Sequence, residues 1–103
     1  ILENFEFYNC EGEADAKNCL FSNCTIRNSK LDECDIVSNN YIRNSKVLEC
    51  RYQGSGNEIT NSYLDNDPKN MIDASLKNCL VNKGNFRISS EIDKNTVILS
   101  RNS

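Results

Sequence analysis

The sequence contains no Trp and no His, and its 103 residues include one Pro, one Met and four Gly. Without His, a nucleophilic Cys lacks its usual general base, and a zinc site lacks the ligand that commonly accompanies Cys. No apolar run approaches the roughly 20 residues that cross a membrane as a helix. We therefore predict a protein that is not an enzyme and has no catalytic residues, metal, cofactor, small-molecule substrate or membrane association.

Charge and composition narrow the class of partner. The net charge of −3 is too small to favour nucleic acid as a partner.

Aromatic content of 8% is low for an ordinary globular core. The length suits one domain, and we expect residues 1–103 to form it. Because the chain begins with Ile1, we expect it to belong to a longer protein.

A five-residue repeat is the main feature that is present. A small residue, named s, comes first in each unit, and a large apolar residue, named c, comes third. The pattern is clearest in four consecutive s/c pairs: Cys19/Phe21, Cys24/Ile26, Ser29/Leu31 and Cys34/Ile36. It shifts by one residue at Ser38-Asn39 and pauses at Gly54-Ser55-Gly56. Such tandem repetition is typical of a solenoid, whose units bury their apolar faces against one another.

The spacing of s and c predicts short strands rather than helices. Residues two apart point to the same side of an extended segment. The residue two after c is often Asn, which tolerates the left-handed backbone of a corner: Asn9, Asn18, Asn23, Asn28, Asn44, Asn61, Asn66 and Asn78. From this pattern we predict an all-β parallel solenoid with four sides, about 20 residues per coil and about four coils, stacked at about 4.8 Å.

The repeated s-x-c-x-Asn pattern resembles the pentapeptide-repeat family. The resemblance extends over roughly residues 5–99 and is clearest in residues 14–36. It implies a right-handed quadrilateral β-helix. The sequence departs from the family pattern where Asn40, Asn57 and Asn95 occupy s and where Gly12 and Ala16 occupy c. A left-handed β-helix with a six-residue period is the structural alternative, but that period does not fit the units.

All six cysteines fall at the inward s position: Cys10, Cys19, Cys24, Cys34, Cys50 and Cys79. A free Cys behaves as a small hydrophobe, so we interpret them as reduced core residues rather than as a disulfide framework. Reduced cysteines favour a reducing environment, either cytoplasmic or virion-associated. With four units per coil, Cys50 and Cys79 would be neighbours and the pair best placed to oxidise.

Four units per coil would also align outward residues into columns. Leu20, Tyr41 and Tyr63 would form one column, which we take as the candidate binding surface for a protein partner or a second copy. The competing interpretation is that these side chains merely stack along a ladder and stabilise it. A second predicted column is acidic and contains Asp15, Asp35 and Glu58. Residues 67–73 form an insertion, which in repeat proteins often projects from one face.

We therefore predict a non-catalytic structural or protein-interaction module, a rigid solenoid scaffold. A stiff spacer in a viral or phage structural protein is one concrete form of this prediction, based on fold analogy. The alternative comes from the family resemblance, since some pentapeptide-repeat proteins mimic DNA and bind DNA gyrase, a type II topoisomerase. The mild net charge of this chain weakens that alternative.

Overall fold

The computed structural model describes residues 1–100, which form a parallel β-solenoid of about six turns without any helix. Its short strands pair in three parallel sheets. Sheet A contains β1 (Leu2–Glu3), β4 (Ala16–Lys17), β7 (Lys30–Asp32), β10 (Lys46–Leu48), β13 (Tyr63–Asp65), β15 (Leu80–Lys83) and β16 (Val97–Ile98). Sheet B contains β2 (Glu6–Tyr8), β5 (Leu20–Ser22), β8 (Asp35–Ile36) and β11 (Arg51–Tyr52). Sheet C contains β3 (Glu11–Gly12), β6 (Thr25–Arg27), β9 (Tyr41–Arg43), β12 (Glu58–Thr60) and β14 (Ser75–Lys77).

The coil has three sides, so the prediction of four sides is wrong. In sheet A, Ala16 pairs with Leu31, Leu31 with Val47, and Val47 with Leu64. These partners are 15, 16 and 17 residues apart, which is three five-residue units plus a growing number of extra residues. Because each coil uses fewer residues than predicted, the chain forms about six turns instead of four. The longest dimension of the molecule, 31 Å, agrees with six steps of about 4.8 Å.

Single left-handed residues turn the chain at the corners. Seven of the eight predicted corner asparagines have positive φ, between 49° and 56°, whereas Asn66 does not. Asn4 and Asn39 occupy further left-handed corners. Glu33 and Glu49 also adopt positive φ, 53° and 52°, although Glu is a poor residue for this conformation. These left-handed residues turn the chain at most of the corners of the coil.

The core is a stack of c side chains along each inner face. Leu31, Ile36 and Ile42, one from each sheet, have no exposed surface. Full burial of a side chain of this size contributes about 1.5–3 kcal/mol to folding. At the N-terminal end, Phe7 stacks on Phe21 with ring centroids 5.2 Å apart. The predicted inward direction of the c residues is confirmed for the middle coils by this burial.

The corners between the sheets are of three kinds, here named by the sheets that they join. The A/B corner contains Cys19, Cys34 and Cys50 at the s position. The C/A corner contains Ser29, Ser45 and Ser62. The B/C corner contains Cys24, Asn40 and Asn57, and it holds the extra residues that lengthen the coils. The s side chains of all three corners are buried.

Residues 67–73 interrupt sheet B after β11. A turn occupies residues 68–70, and Ile72 then returns to the core, where it is fully buried and forms an isolated bridge with Phe86. The neighbouring Met71 remains 39% exposed. The segment thus supplies one core residue at the place where a sheet B strand would otherwise lie.

Candidate functional site

The structure separates the three residues of the predicted binding column. Leu20 is paired with Glu6 and Asp35 in sheet B. Tyr41 lies in sheet C between Thr25 and Glu58, and Tyr63 lies in sheet A between Lys46 and Leu80. The predicted alignment is wrong because it assumed four units per coil, and a coil of three units places the residues on three different faces. The structure does not join them into one surface.

The predicted acidic column is dispersed for the same reason. Asp15 precedes β4 in sheet A, Asp35 belongs to sheet B, and Glu58 belongs to sheet C. Acidic residues instead gather along the A/B corner over three coils: Asp32, Glu33, Asp35, Glu49, Asp65 and Asp67. Arg51 pairs with Asp35 and also donates to the Glu33 carbonyl, so part of this acidic charge is neutralised.

The cysteines occupy corners; five are buried, but Cys10 is exposed because no further coil of the described residues covers it, so the prediction that it is a core residue is wrong. The neighbours of the cysteines also differ from those predicted. Cys50 lies at the A/B corner and Cys79 at the C/A corner, so they are not adjacent. The stacked neighbour of Cys50 is Cys34. Five of the thiols donate to two backbone carbonyls each, as Cys50 does to Leu31 and Leu48 at 3.6 and 3.4 Å.

The environment of three buried thiols disfavours ionisation, whereas a hydrogen bond with the Cys50 thiol lowers the pKa of Cys34. A hydrogen bond with the Cys34 thiol, followed by burial, raises the pKa of Cys50 well above its usual value. Burial also raises the pKa of Cys24 and Cys79. A thiol with a raised pKa is a poor nucleophile at neutral pH, because the thiolate is the reactive form.

The N-terminal end of the solenoid is open and apolar. A cavity of about 270 Å³ lies there, lined by Leu2, Phe7, Gly12, Phe21 and Ile26 among others. It exists because Gly12 occupies a c position, and a Cβ placed on Gly12 would meet no atom within 4 Å. Leu2 and Phe5 beside it are 37% and 53% exposed. Among residues 1–100, strands β1, β2 and β3 each pair on one side only, and their other edges have no partner within this range.

A shallow groove runs along the C/A corner, parallel to the axis of the solenoid. One wall is a row of corner asparagines, Asn28, Asn44 and Asn61, and the floor contains the serines that follow them. The opposite wall is the outward row of sheet A: Asp15, Lys30, Lys46 and Tyr63. The groove therefore presents amides, ammonium groups and one aromatic ring in a line across four coils.

The groove was not among the predicted surfaces, although the sequence contains a signal for it. The pentapeptide Ile-Arg-Asn-Ser-Lys occurs at residues 26–30 and again at residues 42–46. The spacing of 16 residues equals the length of that coil, and the two copies stack in register. An identical segment at that distance indicates three units per coil, whereas a four-sided coil would have about 20 residues.

Comparisons with known proteins give no further guide. No protein-family model matches the chain, and no curated protein matches it. Within residues 1–100, no group of three or more Cys, Asp or Glu side chains is arranged to hold a metal ion. The same residues include no helix of the length and apolarity that a membrane span needs.

Proposed function

We propose that this chain is a non-catalytic structural and protein-interaction module, a stiff rod that associates through its ends. A spacer in a viral or phage structural protein remains one concrete form of this proposal. The observation that carries it is the open N-terminal end, where apolar side chains, a cavity and three free strand edges occur together. Free strand edges readily pair with further strands, and exposed apolar patches are typical of interaction sites.

The charges of the two ends favour the C-terminal end of a second copy as the partner that binds the open N-terminal end. The first coil contains Glu3, Glu6, Glu11 and Glu13 without any basic residue before Lys17. Residues 83–99 at the C-terminal end contain three basic residues, Lys83, Arg87 and Lys94, against two acidic residues, Glu91 and Asp93, and Val97 and Leu99 have exposed side chains there. Stacking of unlike ends pairs opposite charges and continues the sheets, whereas two N-terminal ends would repel each other.

The oligomeric state of the chain tests this proposal. We expect the mass measured by light scattering to rise with protein concentration, because a head-to-tail contact does not close on itself. The double variant Leu2→Glu/Phe5→Glu should remain monomeric. The control Met71→Glu changes an equally exposed apolar residue away from the ends and should associate like the unmodified protein. A monomer at every concentration, or association that the end variant does not weaken, would contradict the proposal.

The acidic A/B corner favours a second candidate, a DNA mimic that binds DNA gyrase. Its support is the row of carboxylates from Asp32 to Asp67, and its weakness is the basic C/A corner on the other edge of sheet A. A supercoiling assay with purified gyrase tests it directly. Inhibition that is lost in Glu33→Gln/Glu49→Gln would support the candidate, and absence of inhibition would remove it.

We further propose a distant relation to the pentapeptide-repeat family and a right-handed coil. The five-residue spacing of s and c and the left-handed corner asparagines support this relation. The three-sided coil departs from the quadrilateral β-helix of that family.

A further inference from the structure

The groove along the C/A corner contains like charges stacked directly on one another. Lys30 is the register partner of Lys46 in sheet A, and Arg27 is the partner of Arg43 in sheet C. Like charges directly opposite in neighbouring strands destabilise a sheet. The repeated Arg-Asn-Ser-Lys segment therefore costs stability in the free protein, and an anion bound along it would remove that cost.

Several of these cations have no ion pair within residues 1–100. Arg27 lies 3.6 and 3.5 Å from carboxylate oxygens of Glu11 and Glu13. Lys30, Arg43 and Lys46 form no salt bridge with any described residue. The Arg43 guanidinium lies 5.9 Å from the centre of the Tyr41 ring on the sheet C side of the corner. Two unpaired ammonium groups, Lys30 and Lys46, thus remain in the groove itself.

The other groups in the groove suit hydroxyls and a ring. Among the corner asparagines, the Asn28 side chain donates to Glu13 at 3.1 Å, and Asn61 accepts from Asn78 at 2.8 Å. The Asn44 carboxamide between them is exposed and makes no side-chain hydrogen bond to a described residue. Tyr63 continues the row of Lys30 and Lys46 on the next coil. Tyr combines apolar ring area with a polar hydroxyl.

From this arrangement we propose that the C/A groove binds an acidic polysaccharide, a linear sugar polymer bearing carboxylate or sulfate groups. Lys30 and Lys46 contact the anionic groups through charge-assisted hydrogen bonds. The Asn44 carboxamide donates to and accepts from sugar hydroxyls, and the Tyr63 ring packs against a sugar face. The groove follows the axis of the solenoid, so a linear polymer meets each coil in turn.

Nucleic acid fits this groove less well. Strands of nucleic acid are bound by extended basic surfaces that are interleaved with several aromatic rings. The groove contains one aromatic ring, Tyr63, and ends at Asp15, and the whole chain has a net charge of −3. A mixed row of amides, hydroxyls and two ammonium groups matches a polymer that carries many hydroxyls and spaced charges. This inference does not depend on association through the ends.

Binding of defined polymers to the whole chain tests the proposal. Polygalacturonate presents carboxylates, dextran sulfate presents sulfates, and unmodified dextran is the neutral control. We expect binding to at least one anionic polymer, little binding to dextran, and weaker binding as salt screens the charges. The comparison of the two anionic polymers identifies which anionic group is recognised.

Two double variants of equal charge locate the site. Lys30→Gln/Lys46→Gln removes both ammonium groups of the groove, and we expect it to bind about tenfold more weakly. Its melting temperature should be equal to or higher than that of the unmodified protein, because the like-charge pair is gone. The control Lys17→Gln/Lys69→Gln removes two charges from the A/B side of the solenoid, away from the groove, and should bind within about twofold of the unmodified protein.

Tyr63→Ala adds a second test, because it should weaken binding without changing the salt dependence. The proposal is overturned if neither anionic polymer binds, if both double variants lose equal affinity, or if a single-stranded DNA oligonucleotide binds and the sugar polymers do not. Weaker binding that is confined to the groove variants supports it.

Discussion

At both the C/A and the B/C corners, a buried side chain forms hydrogen bonds with backbone groups, but the two corners use different side chains. At the C/A corner of the middle coils, the c residue of sheet C is five residues from the next c residue of sheet A, as in Ile42 to Val47. The Ser45 hydroxyl accepts from the Ser29 N–H at 3.1 Å and donates to the Arg43 carbonyl at 2.8 Å. A short hydroxyl is sufficient here because no extra residue widens the corner.

At the B/C corner, the chain contains extra residues and the side chains are longer. Ile36 and Ile42 are six residues apart, and Tyr52 and Ile59 are seven apart. The Asn40 carboxamide accepts from the Cys24 N–H at 2.9 Å and donates to the Phe21 carbonyl and to the Asn57 Oδ1, both at 3.0 Å. A widened corner therefore needs a larger polar side chain to form hydrogen bonds with the backbone groups inside it.

Truncation of Asn40 should reduce the stability of the protein more than any other change at these two corners. Asn40→Ala leaves the buried Cys24 N–H without its acceptor and removes one of the two donors to the Phe21 carbonyl, and we expect a loss of about 3 kcal/mol in the free energy of unfolding. Ser45→Ala at the other corner should cost about 1 kcal/mol. Urea unfolding of both variants measures the difference. Equal losses would show that the longer side chain has no special role.

Gly54 is the next most sensitive position of the widened corner. A Cβ on Gly54 would lie 2.1 Å from the Ser38 Oγ and 2.3 Å from the Val37 carbonyl oxygen. Gly54→Ala should therefore destabilise the protein by about 2 kcal/mol, the cost of overpacking. Gly12→Ala has open space around the added Cβ but a φ of 159°, which side chains rarely adopt, so its loss should be smaller than that of Gly54→Ala and should come from the backbone alone. Thermal unfolding of the pair distinguishes a local clash from a general loss of glycine flexibility.

A substitution at Tyr52, which precedes the widened corner, should increase the stability of the protein. Its hydroxyl is buried and has no hydrogen-bond partner among the described residues. Tyr52→Phe should raise the free energy of unfolding by about 1 kcal/mol. A decrease instead would indicate that the hydroxyl has a partner in solution.

The pH dependence of this variant follows from the same burial. Burial raises the pKa of Tyr52 well above its usual value of 10.0, so the folded state retains a proton that the unfolded state loses. Stability from this group is complete below pH 10.0 and falls as the pH rises above it. Tyr52→Phe should lose less stability than the unmodified protein in that range, as measured by urea unfolding at several pH values.

The smallest effect is expected at the A/B corner, where Glu replaces Asn at the left-handed position. Glu33→Asn should stabilise the protein by about 0.5–1 kcal/mol, because Asn tolerates positive φ better than Glu. Asn28→Glu makes the reverse change at the C/A corner and should destabilise by a similar amount. Opposite signs in chemical unfolding would support a preference for Asn at the left-handed corner positions, and the same sign for both would contradict it.

The predicted alignment of Leu20, Tyr41 and Tyr63 is wrong because it used the wrong number of residues per coil, and their role in binding stays a prediction. Tyr63 belongs to the groove that the structure reveals, but Leu20 and Tyr41 lie on other sheets. The groove requires residues from successive coils to lie together, and their distance along the chain depends on the coil length. An error of one unit per coil therefore moves each predicted neighbour to another face.

The amino-acid sequence by itself determined the local structure of this protein. Alternation of s and c residues specifies strands with one buried face, and Asn two residues after c specifies left-handed corners, because both preferences act within a few residues. Apart from the repeated Ile-Arg-Asn-Ser-Lys segment, nothing in the local pattern specifies how many strands close a coil, and the tertiary structure sets that number. That number depends on the angle summed over successive corners and on the packing of c side chains across the interior. The neighbours that form the groove, the acidic corner and the open end follow from it.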